Sequence, residues 1–262
     1  MTQAEPRNQL SKVPEVTALF WIIKVLTTGM GETTSDFLAH SFDPVLAVAG
    51  CAVALAAALA LQFAVRRYLP MVYWLAVVLV SVFGTMAADV LHVGLGIPYA
   101  VSTCFFLISL GVIFATWFRV ERTLSIHSID TWRRELFYWA AILATFALGT
   151  AAGDLTATTL GLGYVGSGIL FLVVIAVPAV AYQFRLLDAI SAFWFAYIVT
   201  RPLGASFADW MGVSHERSGL DWGTGHVSLV LGIIILMLVG FLAWRQRAEP
   251  ASSSLQPKPM ES

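Results

Sequence analysis

The sequence predicts an all-α integral membrane protein in which eight transmembrane helices form four parallel helical-hairpin repeats. Three observations lead there. Of 262 residues, 58% are hydrophobic and 12% charged, roughly half the charged share of an ordinary soluble domain. Eight apolar stretches, near residues 15–38, 44–64, 71–92, 98–118, 135–158, 163–182, 189–211 and 225–244, each approach the roughly 20 residues that cross a hydrocarbon core. A spaced pattern also returns four times. An aromatic-Trp pair (Phe20-Trp21, Tyr73-Trp74, Tyr138-Trp139, Phe193-Trp194) is followed ten residues after the Trp by Gly31, Gly84, Gly149 or Gly204, and fifteen after it by Asp36, Asp89, Asp154 or Asp209. The tryptophans stand 53, 65 and 55 residues apart, so each copy holds two spans and reads as one hairpin.

In chain order, residues 1–14 read as a polar cytoplasmic tail. Residues 15–245 read as one membrane domain, with repeats at about 15–64, 70–118, 133–182 and 188–244, and residues 246–262 as a disordered cytoplasmic tail. The first span carries Lys24 and Glu32, which no cleavable signal with an unbroken apolar core would do, so it reads as retained. In every repeat the first helix holds the polar residues. The second, as over 45–63 or 169–180, is nearly featureless and suits packing and lipid contact. Arg7, Lys12, Arg66, Arg67, Arg119, Arg122, Arg133, Arg134, Arg185, Arg245, Arg247 and Lys258 all fall on one side. The positive-inside rule then places both termini in the cytoplasm of a bacterial inner membrane. With two spans per copy, all four copies enter the bilayer in the same direction.

Several classes are excluded. A net charge of −1, with no basic patch interleaved with aromatics, argues against nucleic acid. Cys51 and Cys104 lie inside the second and fourth spans, which rules out a disulfide framework or a paired-cysteine metal motif. The chain carries no HExxH, GxSxG, P-loop or CxxC, and its loops are too short for a soluble catalytic domain, so an enzyme and a covalent cofactor are not expected.

The chemistry-bearing residues lie in the odd-numbered spans. A charge at mid-bilayer costs at least about 2.5–3.5 kcal/mol, so Glu32, Asp36, Asp89, Asp154, Asp209, Lys24 and Arg201 are expected to face inward. Thr28, Thr85 and Thr150 complete the path; Lys24, Thr28, Glu32 and Asp36 follow one another at spacing four, on a slowly turning stripe. Carboxylate, carbonyl and water suit hard divalent cations, while His40 and His92, four and three residues after their Asp, tilt the choice toward manganese or another transition ion. The candidate ligand set is therefore Glu32, Asp36, Asp89, Asp154, Asp209, His40 and His92. Plainer readings stand beside it. Trp21, Trp74, Trp139 and Trp194 suit interface anchors, the repeated glycines suit close packing, and the aspartates suit hairpin caps. Lys24 with Glu32, or Arg201 with Asp209, would make structural ion pairs.

The copies KVPEVTALFWIIKVLTTGMGETTSDFL, YWLAVVLVSVFGTMAAD, FYWAAILATFALGTAAGDL and FWFAYIVTRPLGASFADW, with the loop ERTLSIHSI, resemble a family of bacterial polytopic membrane proteins. That family has four tandem two-helix repeats of unknown function, each with a characteristic Trp, and its members are described as uncharacterised membrane-anchored proteins. The resemblance runs from Lys12 to Trp244. It implies the architecture and supplies no activity.

The reading that follows is a transporter, exporting a manganese-like divalent cation through a carboxylate-lined site between the odd-numbered helices, with proton coupling as a natural extension. One alternative is a transporter of a small organic solute or anion bound by Lys24 and Arg201. The other is a non-transporting membrane scaffold. The oligomeric state, and whether the repeats close a ring or form two rocking halves, stay open at this stage.

Overall fold

The computed structural model describes residues 11–253. The tail residues before 11 and after 253, Arg7 and Lys258 among them, lie outside the described residues. Eight α-helices stand within that range: α1 (Ala18–Ser41), α2 (Pro44–Ala64), α3 (Pro70–Asp89), α4 (Tyr99–Glu121), α5 (Trp132–Asp154), α6 (Gly163–Gln183), α7 (Ala189–Gly212) and α8 (Thr224–Ser253). Their starts are written locally. Thr17, Asp43, Thr131 and Asp188 cap α1, α2, α5 and α7 with side-chain oxygens, and Pro44 and Pro70 occupy first-turn positions, where a missing N–H costs nothing. The Asp188 carboxyl, held by the Ser191 hydroxyl and by backbone N–H groups, is kept below the usual carboxylate range. Six helices, all but α1 and α7, are long and apolar enough to cross a membrane. The two exceptions carry Lys24, Glu32 and Asp36, and Arg201 and Asp209.

Two boundaries differ from the sequence reading. Helix α8 continues to Ser253, past the point where a disordered tail is expected. At the other terminus, residues 11–14 belong to the fold. The Lys12 backbone N–H donates to the Ile129 carbonyl at 3.1 Å, Val13 is buried, and Lys12 Nζ lies 2.6 Å from Glu135 Oε2. Glu135, itself buried, also accepts from the Gln62 amide at 2.9 Å. A lysine that reads as a positive flank of the first span thus supplies the countercharge of a buried carboxylate.

The odd-numbered helices form a closed inner ring, α1 on α3, α3 on α5, α5 on α7 and α7 on α1. The even-numbered helices sit outside, and each leans mainly on the inner helix of the next repeat: α2 on α3, α4 on α5, α6 on α7, α8 on α1. The two helices of one repeat therefore have little mutual contact, and a hairpin alone has no core. Burial follows this layering, with 67% of the α5 span buried against 11% of α2.

Contacts around the ring join residues one repeat apart. Phe20 packs on Trp74, Tyr73 on Trp139, Tyr138 on Trp194 and Phe193 on Trp21, with ring centroids 5.6–6.2 Å apart. Trp74, Trp139 and Trp194 are buried and Trp21 is half-buried, and together they interlock the four helix starts. The glycines ten residues after each Trp set the helix separation. A Cβ on Gly31 would strike Ser81, on Gly84 Phe146, on Gly149 Arg201, and on Gly204 Thr28. Each of these partners stands seven residues after the Trp of the next repeat, so all four inner interfaces set a glycine against the same position of the neighbouring repeat.

A methyl group at these positions should cost more than the ~1 kcal/mol of helix propensity that Gly→Ala gains. Gly31→Ala and Gly204→Ala are predicted to destabilise the detergent-solubilised protein by about 1–3 kcal/mol through overpacking, lowering its melting midpoint. Gly50→Ala and Gly111→Ala, where nothing lies within 4 Å, should leave the midpoint unchanged or raise it.

Candidate functional site

Three polar levels follow one another along the ring, from the end that carries the tryptophans to the end that carries the aspartates. The first is almost dry. Tyr73 and Tyr138 share a hydrogen bond, 2.5 Å between hydroxyls, inside the aromatic belt. Beyond them Lys24, 1% exposed, places Nζ 4.3 Å from the centroid of the Phe146 ring and 4.2 Å from that of Tyr197, and finds no hydrogen-bond partner among the described residues. Two aromatic faces enclose the amine there, an arrangement suited to a cation.

The second level crosses the middle of the ring. Glu32 Oε2 accepts from Arg201 Nη2 at 2.6 Å, and the same oxygen lies 3.3 Å from the hydroxyls of both Thr85 and Thr150. Arg201 Nη2 also contacts Thr85 Oγ1 and, at 2.8 Å, Thr150 Oγ1, while Nη1 donates to the Thr28 carbonyl at 3.0 Å. Glu32, Thr85 and Thr150 stand eleven residues after their tryptophans. The fourth repeat has Ala205 at that position and sends in Arg201 from one turn earlier. Both ion pairs expected from sequence, Lys24 with Glu32 and Arg201 with Asp209, are replaced by this one. All four inner helices contribute to it, and a buried pair needs such additional hydrogen bonds to offset its desolvation.

The third level holds the aspartates. Asp36, Asp89, Asp154 and Asp209 each follow by about one helical turn the level of Glu32, Thr85, Thr150 and Ala205. Asp209 is buried, while the side chains of Asp89 and Asp154 keep 30% and 20% exposure. Just past Asp89 and Asp154, helices α3 and α5 each widen into one π-helical turn, Val90–Gly94 and Leu155–Thr159, a local irregularity often found at functional sites. The first of these turns brings His92 between the two carboxylates, with Nε2 3.8 Å from Asp89 Oδ1 and 3.7 Å from Asp154 Oδ2. Ser35 Oγ donates to Asp89 Oδ2 at 3.4 Å.

Of the seven candidate ligands, Asp89, His92 and Asp154 meet, each with one ligand atom within 4.8 Å of the others. Glu32 is taken by Arg201. Asp36 and Asp209 line the same end without joining the trio, and His40 is exposed, its Nδ1 2.7 Å from the Asp36 carbonyl. Sequence reasoning missed Ser81 and Phe146, which with Thr28 and Arg201 register with the repeated glycines, and it missed Ser102 and Tyr99 of α4, which support His92 from outside the ring. An apolar groove of about 600 Å³ touches Trp21, Val25, His127, Pro178, Tyr182 and Phe193; none of the acids lines it.

If the central cluster is one energetic unit, its members should not contribute independently. Arg201→Met leaves Glu32 buried and unpaired and is predicted to cost about 3–5 kcal/mol. The Glu32→Gln/Arg201→Met double variant should lose clearly less than the two single losses combined, read as shifts in melting midpoint. Additive losses would contradict the cluster.

No curated protein and no solved structure matches the chain. The family described as Repeat of Unknown Function (DUF347) matches four times in tandem, over residues 19–68, 72–123, 137–186 and 192–248, and these segments follow the four helix pairs that build the ring. Spanning most of the sequence, they show that the chain belongs to this repeat family.

Proposed function

We propose that this protein is a multi-pass transporter of the bacterial inner membrane that moves a divalent metal cation along the axis of its inner ring, in the export direction. In this reading all eight helices span the bilayer. The four pairs enter it in the same direction, because contacts one repeat apart persist along the whole of α1 and α3: Phe20 with Trp74, Thr27 with Ser81, Glu32 with Thr85, Ser35 with Asp89. The basic connections lie at the tryptophan end, which puts that end and both termini on the cytoplasmic side. Helices α1 and α7 are tolerated as spans because their charges face the ring interior and are paired or shielded.

The observation that carries the reading is the gathering of carboxylates at one end above a sealed centre. A cation moving outward along the axis would pass the Glu32 carboxylate with the hydroxyls of Thr85 and Thr150 and then Asp36, Asp89, Asp154 and Asp209 at the outer end. Arg201 occupies that oxygen cluster as a tethered cation, so a passing ion must displace its guanidinium. The same geometry disfavours an anionic cargo: the Arg201 Nη groups are committed to Glu32, Thr85, Thr150 and the Thr28 carbonyl, and Lys24 is enclosed by Phe146 and Tyr197.

Manganese accumulation in cells producing the intact protein should be lower than in cells producing Glu32→Gln or Asp89→Asn at matched membrane levels. Equal accumulation in all three contradicts transport, and lower thermal stability of both variants without any change in accumulation leaves the polar seam a purely structural role.

A further inference from the structure

The hydrogen bonds around His92 fix more than its position. Ser102 Oγ donates its proton to the Tyr99 carbonyl at 3.0 Å. With that proton committed, the oxygen 3.0 Å from His92 Nδ1 serves as acceptor, and Nδ1 carries the hydrogen. Nε2 is then the lone-pair nitrogen. It is buried, has no hydrogen-bond partner among the described residues, and looks into the space between Asp89 Oδ1 and Asp154 Oδ2. Three electron-rich atoms facing one another repel unless a cation lies between them. Orienting a histidine through a hydrogen bond on its far nitrogen is also how proteins prepare an imidazole to bind metal.

We propose that Asp89 Oδ1, His92 Nε2 and Asp154 Oδ2 form a binding site for a first-row divalent transition ion, with Ser102 as the residue that sets the tautomer. This rests on the transport reading for its purpose and stands on its own geometry for its existence. An ion held about 2.1 Å from each ligand needs the ligand atoms roughly 3.0–3.4 Å apart, so the Nε2 to carboxylate distances of 3.7 and 3.8 Å must shorten on binding, and the two carboxylate oxygens, which lie within 4.8 Å of each other, must reach the same range. One imidazole among the ligands favours Mn, Fe, Co or Zn over Mg and Ca, which prefer oxygen alone. Three protein ligands leave coordination positions to water, as suits a cargo that must leave again. The π-helical turn is what makes the site. It displaces His92 from a regular helical path and aims it at the carboxylate of the neighbouring repeat, and Asp154 lies at the start of the second such turn. The first and fourth repeats lack both the turn and the histidine at this position, having Ala39 and Gly212 instead.

The test is a titration of the purified full-length protein in detergent with Co²⁺, read by its visible absorption. Wild type should develop a band that saturates near one equivalent and survives a tenfold excess of Mg²⁺ or Ca²⁺. His92→Gln and Asp154→Asn should each weaken binding at least tenfold, and Ser102→Ala by about 10-fold, the low end of measured effects for second-shell partners. Melting midpoints near wild type in any one of the three variants suffice to separate ligation from folding. A band unaltered in both His92→Gln and Asp154→Asn overturns the site, as does equal displacement by Mg²⁺ or Ca²⁺. A wild type that stays colourless also overturns it, since a proton would then be the cation that Nε2 and the carboxylates share. The two readings fail separately. Co²⁺ binding that depends on His92, with metal accumulation indifferent to Glu32→Gln, removes transport and keeps the site. Accumulation that responds to Glu32→Gln, with Co²⁺ binding indifferent to His92, keeps transport and removes the site.

Discussion

Four glycine contacts hold this molecule to its shape. Gly31, Gly84, Gly149 and Gly204 each let an inner helix approach its neighbour until the backbone meets a side chain of the next repeat. In a lipid environment the hydrophobic effect does not drive helices together, so close van der Waals packing and interhelical hydrogen bonds must do it. The same approach carries the polar structure. Arg201 is the side chain that fills the notch at Gly149, and its guanidinium, so placed, reaches Glu32, Thr85, Thr150 and the Thr28 carbonyl. Packing and charge neutralisation are one arrangement, and moving either helix by the width of a methyl group would disturb both.

The fourfold sequence pattern is kept in the ring and broken where chemistry is placed. Aromatic pairs, glycines and aspartates recur in all copies. The position three residues after each Trp instead reads Lys24, Val77, Ile142 and Tyr197, and the position seven after it Thr28, Ser81, Phe146 and Arg201. The rings that enclose Lys24 come from repeats three and four, and the hydroxyls that receive Arg201 from repeats two and three. A symmetric scaffold thereby carries an asymmetric interior: aromatic at one end, joined by an ion pair at the middle, acidic and partly exposed at the other.

Much of this was legible in the chain. The helix pairs, the inward turn of the polar residues and the close-packing glycines follow from spacing and from the cost of exposing charge to lipid. The pairing of charges was not legible, because Lys24 and Glu32 share one helix face, whereas Arg201 reaches Glu32 across the ring only through the α1–α7 contact. Nor was the engagement of each outer helix with the next repeat, since consecutive antiparallel helices ordinarily pack on each other. His92 could be marked from its distance to Asp89, yet only the π-helical turn shows that it meets Asp154 as well, and no spacing rule announces such a turn. The pairing of Lys12 with Glu135 was hidden for a similar reason, since the two are 123 residues apart in sequence.

Carboxylates from two repeats converge with one imidazole at one end of the helical ring, and in the reading proposed above they receive a metal ion. Anomalous diffraction from crystals of the manganese-loaded protein tests this most directly. The account predicts an anomalous peak enclosed by Asp89, His92 and Asp154. A well-ordered ring with no peak there, or with manganese only at exposed groups such as His40, would contradict it.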